Sequence, residues 1–170
     1  KKSVYLEMYI VGDDANGRAF LDTLELAAGR GVKVIAILDI VGSFTFGNTL
    51  VSRLKDAGAE VLFHSFLFQR MHRKVLIIDE TSAFIGGVNI GKSYARWKDL
   101  QVEVKGHIID TMIRSFARAY RNSGGKGLLA EIPPRLGPMR KAKLWFIDHG
   151  IGKRDQEFRK HYIERMRSAK

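Results

Sequence analysis

The sequence contains no cysteine and only three prolines among its 170 residues. Without cysteine the chain has no disulfide, no thiolate zinc site and no cysteine nucleophile. Long apolar runs are also missing: the longest, Val32 to Gly42, is interrupted by Lys33 and Asp39 and is far shorter than the ~20 residues that cross a bilayer as a helix. Acidic residues are outnumbered, with 18 Asp and Glu against 29 Lys and Arg, which gives a formal net charge of +11. This balance favours an anionic partner, such as nucleic acid, an anionic lipid or a phosphorylated small molecule, without choosing among them.

The basic excess is concentrated near the end of the chain. Residues 135–170 contain 11 basic and 4 acidic residues, so this segment carries +7 of the net +11. Residues 1–134 are therefore only mildly basic. The length and the apolar content of 45% predict one globular domain with its own core.

Strands and helices alternate through the first 63 residues. Runs rich in β-branched and aromatic residues predict strands over Val4–Ile10, Val32–Asp39 and Glu60–Phe63, and apolar residues at helical spacing predict helices between them. This order with short connections favours parallel pairing and helices beside the sheet. Three closely spaced strand runs follow and predict an antiparallel addition: Lys74–Asp79, Ala83–Ile85 and Leu100–Val104. The predicted fold class is therefore α/β with a mixed sheet.

The chain divides at a segment rich in proline and glycine. Residues 124–140 contain all three prolines, which indicates a linker between residues 1–123 and residues 141–170. Within the last segment we expect a strand over residues 143–147 and a basic amphipathic helix over residues 155–169. The apolar side of that helix consists of Phe158, Tyr162, Ile163 and Met166.

One segment carries groups suited to phosphoryl chemistry. In a strand alternate residues share a face, so His72 and Lys74 point the same way. An imidazole beside an ammonium is a poor metal site, but it provides a nucleophile or general base together with a fixed positive charge for phosphoryl oxygens. Gly86 and Gly87 allow the backbone to approach a ligand closely, and Asn89 adds an amide donor on the same face as Gly87. Each feature alone is commoner as an ordinary strand start or turn, and only their combination indicates such a site.

The spacing HxKxxxxDxxxxxxGGxN, from His72 to Asn89, resembles the signature of the phospholipase D superfamily. Outside the motif, the chain resembles the bacterial cardiolipin synthase branch in YLEMYI at residues 5–10, RGVKV at 30–34, Asp39 with Gly42-Ser43, and WKD at 97–99. The resemblance implies a phospholipase D-like α-β-α sandwich, a mixed sheet flanked by helices on both faces. It also implies that residues 1–123 are one catalytic repeat and that residues 141–170 lead toward a second repeat.

The resemblance further implies catalytic roles. His72 would attack phosphorus and form a phosphohistidine intermediate. Lys74 and Asn89 would hold the phosphoryl oxygens, and the backbone of Gly86 and Gly87 would line the substrate pocket. No cofactor and no metal are implied, because the ammonium and the imidazole already supply what a cation would.

Three further residues take roles from the resemblance. Asp79 closes the motif, and we expect it to act mainly through structural hydrogen bonds. Asp99 matches the downstream carboxylate that pairs with the nucleophilic imidazole, and a surface position at a strand start is an equally good explanation of it. Arg73 would add positive potential where substrate binds, as would Arg70, although a solvated face explains each of them better.

The superfamily's active site needs two facing motifs, one histidine as nucleophile and the other as general acid. This chain has one, because none of its other four histidines is followed by lysine at the second position. The second motif then comes from a homodimer or from a second repeat in a longer protein, and the second alternative is favoured.

The resemblance implies a phosphatidyltransferase of the cardiolipin synthase type. It would pass a phosphatidyl group from phosphatidylglycerol to a lipid alcohol, or to water as a phospholipase D, at the cytoplasmic face of the bacterial cytoplasmic membrane. Phenylalanines at positions 63, 66 and 68, and at 44 and 46, suit the acyl chains of an anionic phospholipid or a membrane surface, or simply the core. The alternative is a metal-independent phosphodiesterase or nuclease that acts on nucleic acid as a homodimer. A lipid-binding module with an idle motif fits least well.

Overall fold

The computed structural model describes residues 2–43, 47–64, 70–133, 146 and 157–169. The chain forms two compact units, Lys1–Arg135 and Leu136–Lys170, and each is described by itself. The strands of the first unit are β1 (Ser3–Met8), β2 (Lys33–Asp39), β3 (Glu60–His64), β4 (Lys74–Ile78), β5 (Ser82–Gly86) and β6 (Gln101–Lys105). Its helices are α1 (Ala15–Gly29), α2 (Asn48–Asp56), α3 (Ile108–Asn122) and α4 (Leu128–Glu131), with a 3₁₀ turn at Lys92–Tyr94.

The six strands form one mixed sheet in the order β3-β2-β1-β4-β5-β6. Strands β1, β2 and β3 are parallel. Strand β4 runs antiparallel to β1, and β5 and β6 continue the antiparallel pairing. The mixed sheet predicted from the sequence is confirmed.

One face of the sheet packs against α1 and α2. The even-numbered side chains of β1 lie on this face, and Leu6 is fully buried there. It joins Leu24 of α1 and Leu54 of α2 in a continuous apolar cluster. Since α1 and α2 are the crossover helices between parallel strands, the right-handed connection places both on the same side.

The opposite face packs against α3. The ring of Tyr5 on β1 stacks on Phe116 of α3 with centroids 5.1 Å apart, and Phe116 is fully buried. Ile109 and Met112 of the same helix are buried as well. Helices therefore cover both faces, as the resemblance implied.

The antiparallel direction of β4 brings its beginning to the carboxyl ends of β1 and β2. Met8, the last residue of β1, is paired with Lys74, the first residue of β4. An isolated parallel bridge between Val11 and Ile90 then joins the segments that follow β1 and β5. The connections after several strands therefore meet at one border of the sheet, called the carboxyl edge below.

Helix α4 lies within residues 124–140, for which the sequence predicts a linker. Leu129 of α4 is buried, and the Arg121 guanidinium of α3 donates a 2.7 Å hydrogen bond to the carbonyl of Ala130. These contacts attach the beginning of that segment to α3.

In the second unit, helix α5 (Glu157–Arg167) lies within the predicted amphipathic helix. Tyr162 and Met166, from its predicted apolar side, are exposed. The expected strand at residues 143–147, apart from residue 146, lies outside the described residues, as do the side chain of Phe158 and the phenylalanines at positions 44, 46, 66 and 68. Among the residues that the structure describes, no helix is long and apolar enough to span a membrane.

Two leucines of α1 test which face of this helix supports the fold. Leu24 is 5% exposed and Leu26 is 64% exposed. We expect Leu24→Ala to lower the free energy of unfolding by about 2–5 kcal/mol, because it leaves a cavity in the core. The matched control Leu26→Ala changes it by less than about 0.5 kcal/mol. Urea denaturation of both variants measures the difference, and equal losses would contradict the described packing.

Candidate active site

Most of the residues that belong to the motif lie at the carboxyl edge. Their positions follow from strand direction: β1 and β2 end there, β4 begins there, β5 ends there and β6 begins there. The side chains and glycines at or next to these strand ends are Tyr9, Asp39, His72, Lys74, Gly86, Gly87, Asn89 and Asp99. Residues up to 90 positions apart in the chain are thus brought to one border of the sheet.

His72 and Lys74 are in direct contact. The Lys74 Nζ lies 3.0 Å from Nε2 of His72 and also donates to the His72 carbonyl at 3.3 Å. Lys74 is 3% exposed, whereas His72 is exposed at the surface. A neutral imidazole that accepts the ammonium proton at Nε2 carries its own proton at Nδ1. The pair thus presents an accessible imidazole backed by a buried cation.

Both groups have lowered pKa values. Partial burial, followed by the charge of Lys74, lowers the pKa of His72, and the carboxylate of Asp39 opposes this shift. Burial also lowers the pKa of Lys74, while the negative charge of Asp99 opposes the change. Since the ordinary pKa of histidine is already about 6.5, the His72 imidazole is neutral at pH 7, the state in which it is a nucleophile.

Asp39 holds the backbone on two sides of the site. Its carboxylate is 1% exposed and accepts the N–H groups of Val41 and Gly42 at 3.0 and 2.8 Å. Its other oxygen accepts the N–H of Met71 at 2.8 Å, directly before His72. Asp39 is part of the sequence resemblance, which implies no role for it. The available signal was a carboxylate at the end of an otherwise apolar strand, which needs partners when buried.

The two motif glycines are positions of close approach. A Cβ at Gly86 would lie 2.0 Å from the carbonyl oxygen of Leu100, and a Cβ at Gly87 would lie 2.0 Å from Oδ1 of Asp99. The N–H of Gly87 donates to the same Leu100 carbonyl at 3.0 Å. The glycines therefore permit β5 and the start of β6 to come together at the site.

Asn89 is partly buried, and its Oδ1 has no hydrogen-bond partner among the described residues. The backbone of the next residue is fixed, because Ile90 donates to the carbonyl of Ile10 at 3.1 Å and accepts the N–H of Gly12 at 2.8 Å. The amide of Asn89 is thus carried by an anchored segment, and its Oδ1 is an acceptor that a donor group of a ligand could use.

The Asp99 carboxylate does not bond the His72 imidazole in the described structure. Its Oδ1 accepts the N–H of Leu100 at 2.8 Å, and the side chain lies against the α-carbon of Gly87. Its charge acts on Lys74, whose pKa it supports. The pairing with the imidazole stays a prediction, and the structure places Asp99 nearer to the role of a partner for the lysine.

Asp79 lies at the opposite end of β4 from the site. Its Oδ1 accepts the N–H groups of Lys2 and Ser3 at 2.8 and 3.4 Å, and its own N–H donates to the carbonyl of Ser3 at 2.8 Å. The five residues of β4 separate it from the segment that carries His72, roughly 16 Å at the rise of a strand. These contacts attach β1 to β4 and are those that a structural role requires.

The structure does not bring Arg73 to the site. Strand alternation turns it away from His72 and Lys74, onto the face covered by α3. There its guanidinium lies 3.0 Å from the fully buried carboxylate of Glu7 and donates to Ser115 Oγ at 2.7 Å. Its expected contact with substrate is corrected accordingly: the side chain ties β4 to β1 and α3. Arg70, in contrast, remains on the site's side and donates to Tyr9 Oη at 3.3 Å.

The donor set does not suit a metal ion. In the described part of the chain no three His, Asp or Glu side chains come together as a metal site. The buried ammonium of Lys74 occupies the position beside His72, and its positive charge opposes a bound cation. The arrangement instead provides a nucleophile with a fixed cation for an anionic oxygen.

Comparison with solved structures identifies the fold. The chain is similar to the phospholipase D family member Nuc from Salmonella typhimurium, with a TM-score of 0.60, 20% identity and coverage of 72% of this chain and 80% of that one. It is also similar to NucT from Helicobacter pylori, with a TM-score of 0.56, 19% identity and coverage of 71% and 78%. At this identity the likeness concerns the fold, which is that of phospholipase D proteins.

The family follows from sequence comparison. The family model described as "Cardiolipin synthase, PLD-like domain" matches residues 1–120. The chain is 34% identical to the cardiolipin synthase of Geobacillus sp. (strain WCH70) and 31% identical to that of Halalkalibacterium halodurans, each over 79% of this chain and 30% of the relative. The chain therefore belongs to the cardiolipin synthase PLD-like domain family, which confirms the resemblance. It spans about 30% of the length of these relatives.

The glycines of the motif yield a stability prediction. Gly86→Ala directs a methyl group at a backbone carbonyl that cannot move alone, and we expect it to cost about 1–3 kcal/mol of unfolding free energy. At Gly87 the three atoms nearest to an added methyl group all belong to the Asp99 carboxylate. This side chain is exposed and can rotate away, so we expect Gly87→Ala to cost less than about 1 kcal/mol. Denaturant unfolding compares both with Gly29→Ala, where the added methyl group meets open space. A Gly87→Ala loss as large as that of Gly86→Ala would show that Asp99 is held more firmly than described.

The His72–Lys74 contact yields a pKa prediction. We expect the pKa of His72 to lie below 6.5 in the wild type and to rise in Lys74→Met, because the charge that opposes protonation is removed. NMR titration of the imidazole resonances, assigned with His72→Ala, measures both values. Lys55→Met, at an exposed position on α2, serves as the matched control and leaves the His72 pKa unchanged. An unchanged His72 pKa in Lys74→Met contradicts the coupling.

Proposed function

We propose that this protein is a phosphatidyltransferase of the cardiolipin synthase type. The observation that carries the proposal is the 3.0 Å contact between Lys74 Nζ and His72 Nε2 at the carboxyl edge. The neutral, accessible imidazole is a nucleophile, and the buried ammonium is a donor for phosphoryl oxygen. The relatives named as cardiolipin synthases, at 31% and 34% identity, support the lipid substrate.

In the first step His72 attacks the phosphorus of phosphatidylglycerol. A phosphorus–nitrogen bond forms while the bond to the glycerol oxygen breaks, and the glycerol leaves with a proton from a general acid. In the free site, Lys74 donates a hydrogen bond to Nε2 of His72. When substrate binds, Lys74 donates to a phosphoryl oxygen instead, and the lone pair of Nε2 becomes available to attack phosphorus. Asn89 donates its amide to a second phosphoryl oxygen, and the glycine backbone at residues 86 and 87 lines the pocket.

In the second step a hydroxyl of another phosphatidylglycerol attacks the phosphohistidine. The phosphorus–nitrogen bond breaks, cardiolipin forms, and the acceptor's proton passes to the group that served as acid in the first step. Water in place of the lipid alcohol makes the reaction that of a phospholipase D. Because this chain has one motif, the acid is a second histidine, from a second repeat or from another copy of the chain across a two-fold axis.

The proposed setting is the cytoplasmic face of the bacterial cytoplasmic membrane. The proposed substrate is an anionic lipid of that membrane, and the relatives named above are bacterial. The net charge of +11 suits an anionic surface.

The complete product of the gene provides the test. Incubated with phosphatidylglycerol vesicles, it is expected to form cardiolipin and glycerol in equal amounts, measured by mass spectrometry. His72→Ala removes the nucleophile and is expected to lower the rate by at least about 10³-fold. EDTA is expected to leave the rate unchanged, because the cation of the site is a lysine.

His107→Ala is the matched control, since His107 is exposed and lies outside the site. Single-stranded DNA is offered in parallel. Cleavage of DNA that is lost in His72→Ala, without lipid turnover, would contradict the transferase and establish the nuclease alternative. Lipid turnover abolished by EDTA would contradict the metal-free phosphohistidine route.

A further inference from the structure

Tyr9 contacts both chemical groups of the site, although the motif does not include it. It follows β1, and the centroid of its ring lies 4.4 Å from that of the His72 imidazole at an interplanar angle of 62°. The Nζ of Lys74 lies 4.9 Å from the same ring centroid. An edge contact limits the rotation of the imidazole, and the face of an aromatic ring attracts an ammonium group.

The ring of Tyr9 packs against the turn that follows β2. A Cβ at Gly42 would lie 2.9 Å from two ring carbons and 2.2 Å from the Tyr9 carbonyl oxygen, so only glycine leaves the space. The buried hydroxyl of Ser43 donates to the Tyr9 carbonyl at 3.1 Å and accepts the N–H of Val11 at 3.3 Å. The turn itself is held by the carboxylate of Asp39.

The other end of Tyr9 is attached to the segment that leads to the nucleophile. Its hydroxyl accepts a 3.3 Å hydrogen bond from Arg70, two residues before His72. The backbone, the ring and the hydroxyl of Tyr9 thus have separate partners, and the ring lies between them against the imidazole and the ammonium.

We propose that Tyr9 is a positioning residue whose ring holds the His72 imidazole and the Lys74 ammonium in the mutual orientation required for attack on phosphorus. In-line attack needs a nucleophilic lone pair aimed at one point, and a freely rotating imidazole reaches that alignment only part of the time. The ring also shields one side of the imidazole from water. The part of the proposal that concerns catalysis rests on the proposed function, and the part that concerns orientation does not.

NMR of the chain without substrate tests the orientation. Tyr9→Leu removes the aromatic ring, and we expect the imidazole carbon-bound protons of His72 to lose their ring-current shift. We also expect the His72 pKa to rise toward its ordinary value, because water then reaches the imidazole. The charged groups that act on His72, Lys74 and Asp39, are the same in this variant. Tyr9→Phe keeps the ring and is expected to retain both the shift and the pKa.

Tyr5→Leu is the matched control for a purely structural effect. Tyr5 lies on β1, the strand that Tyr9 follows; it is 3% exposed and stacks on Phe116 of α3. It is expected to lower the unfolding midpoint at least as much as Tyr9→Leu while leaving the His72 resonances in place. If either leucine variant fails to fold, the methionine variant at the same position replaces it. Unchanged His72 shifts and pKa in Tyr9→Leu, equal changes in Tyr5→Leu, or a Tyr9→Phe that behaves like Tyr9→Leu would each overturn the proposal.

Turnover of phosphatidylglycerol vesicles by the complete gene product tests the catalytic part. Tyr9→Leu is expected to lower kcat about 10- to 100-fold with little change in KM, and Tyr9→Phe is expected to restore most of it. A KM effect alone would contradict positioning. If the wild type turns over no lipid, the proposed function fails, whereas the NMR result still decides whether Tyr9 orients the imidazole.

Discussion

The antiparallel pairing of β4 with β1 is the constraint on which the site depends. It places the first residue of β4 beside the last residue of β1, so that Lys74 lies next to Met8 at the carboxyl edge. A parallel β4 would carry His72 to the other border of the sheet, away from Asp39 and Tyr9. Asp79 contributes to this pairing from the far end, through its hydrogen bonds with the backbone at the start of β1.

The electrostatics of the site follow from the unequal exposure of its two central groups. Lys74 is buried, and removing an ammonium group from water is costly unless partners compensate. The imidazole nitrogen, the face of the Tyr9 ring and the charge of Asp99 all act in its favour. Partial burial of the imidazole, and then the charge of Lys74, lower the pKa of His72 and keep the imidazole neutral. In the proposed function, one lysine therefore helps to keep the nucleophile neutral and donates to the phosphoryl oxygen.

The local pattern of the sequence predicts which side chains share a face of a strand. It does not predict which distant segments contact each other in the fold. Alternation correctly puts His72 and Lys74 on one face, and the change in strand spacing correctly predicts the mixed sheet. The same alternation sends Arg73 to the opposite face, where a buried glutamate 66 positions earlier in the chain accepts it. No local sequence pattern predicts that Glu7 is the partner of Arg73. Asp39 and Tyr9 are missed for the same reason, since their importance arises from contacts with residues more than 30 positions away.

The distribution of charge helps to distinguish a nucleic acid from a phospholipid as the substrate. A protein that follows a nucleic-acid backbone neutralises several phosphates and needs basic side chains spread along the path. Most of the net charge lies in residues 135–170, and the part that carries the motif is only mildly basic. Arg73, which the sequence would add to a basic surface, is neutralised by Glu7. Of the basic side chains that the structure describes at the carboxyl edge, Lys74 contacts the imidazole and Arg70 contacts Tyr9 beside it. Two cations close to one nucleophile suit the single phosphodiester group of the proposed phospholipid substrate better than a polyanion.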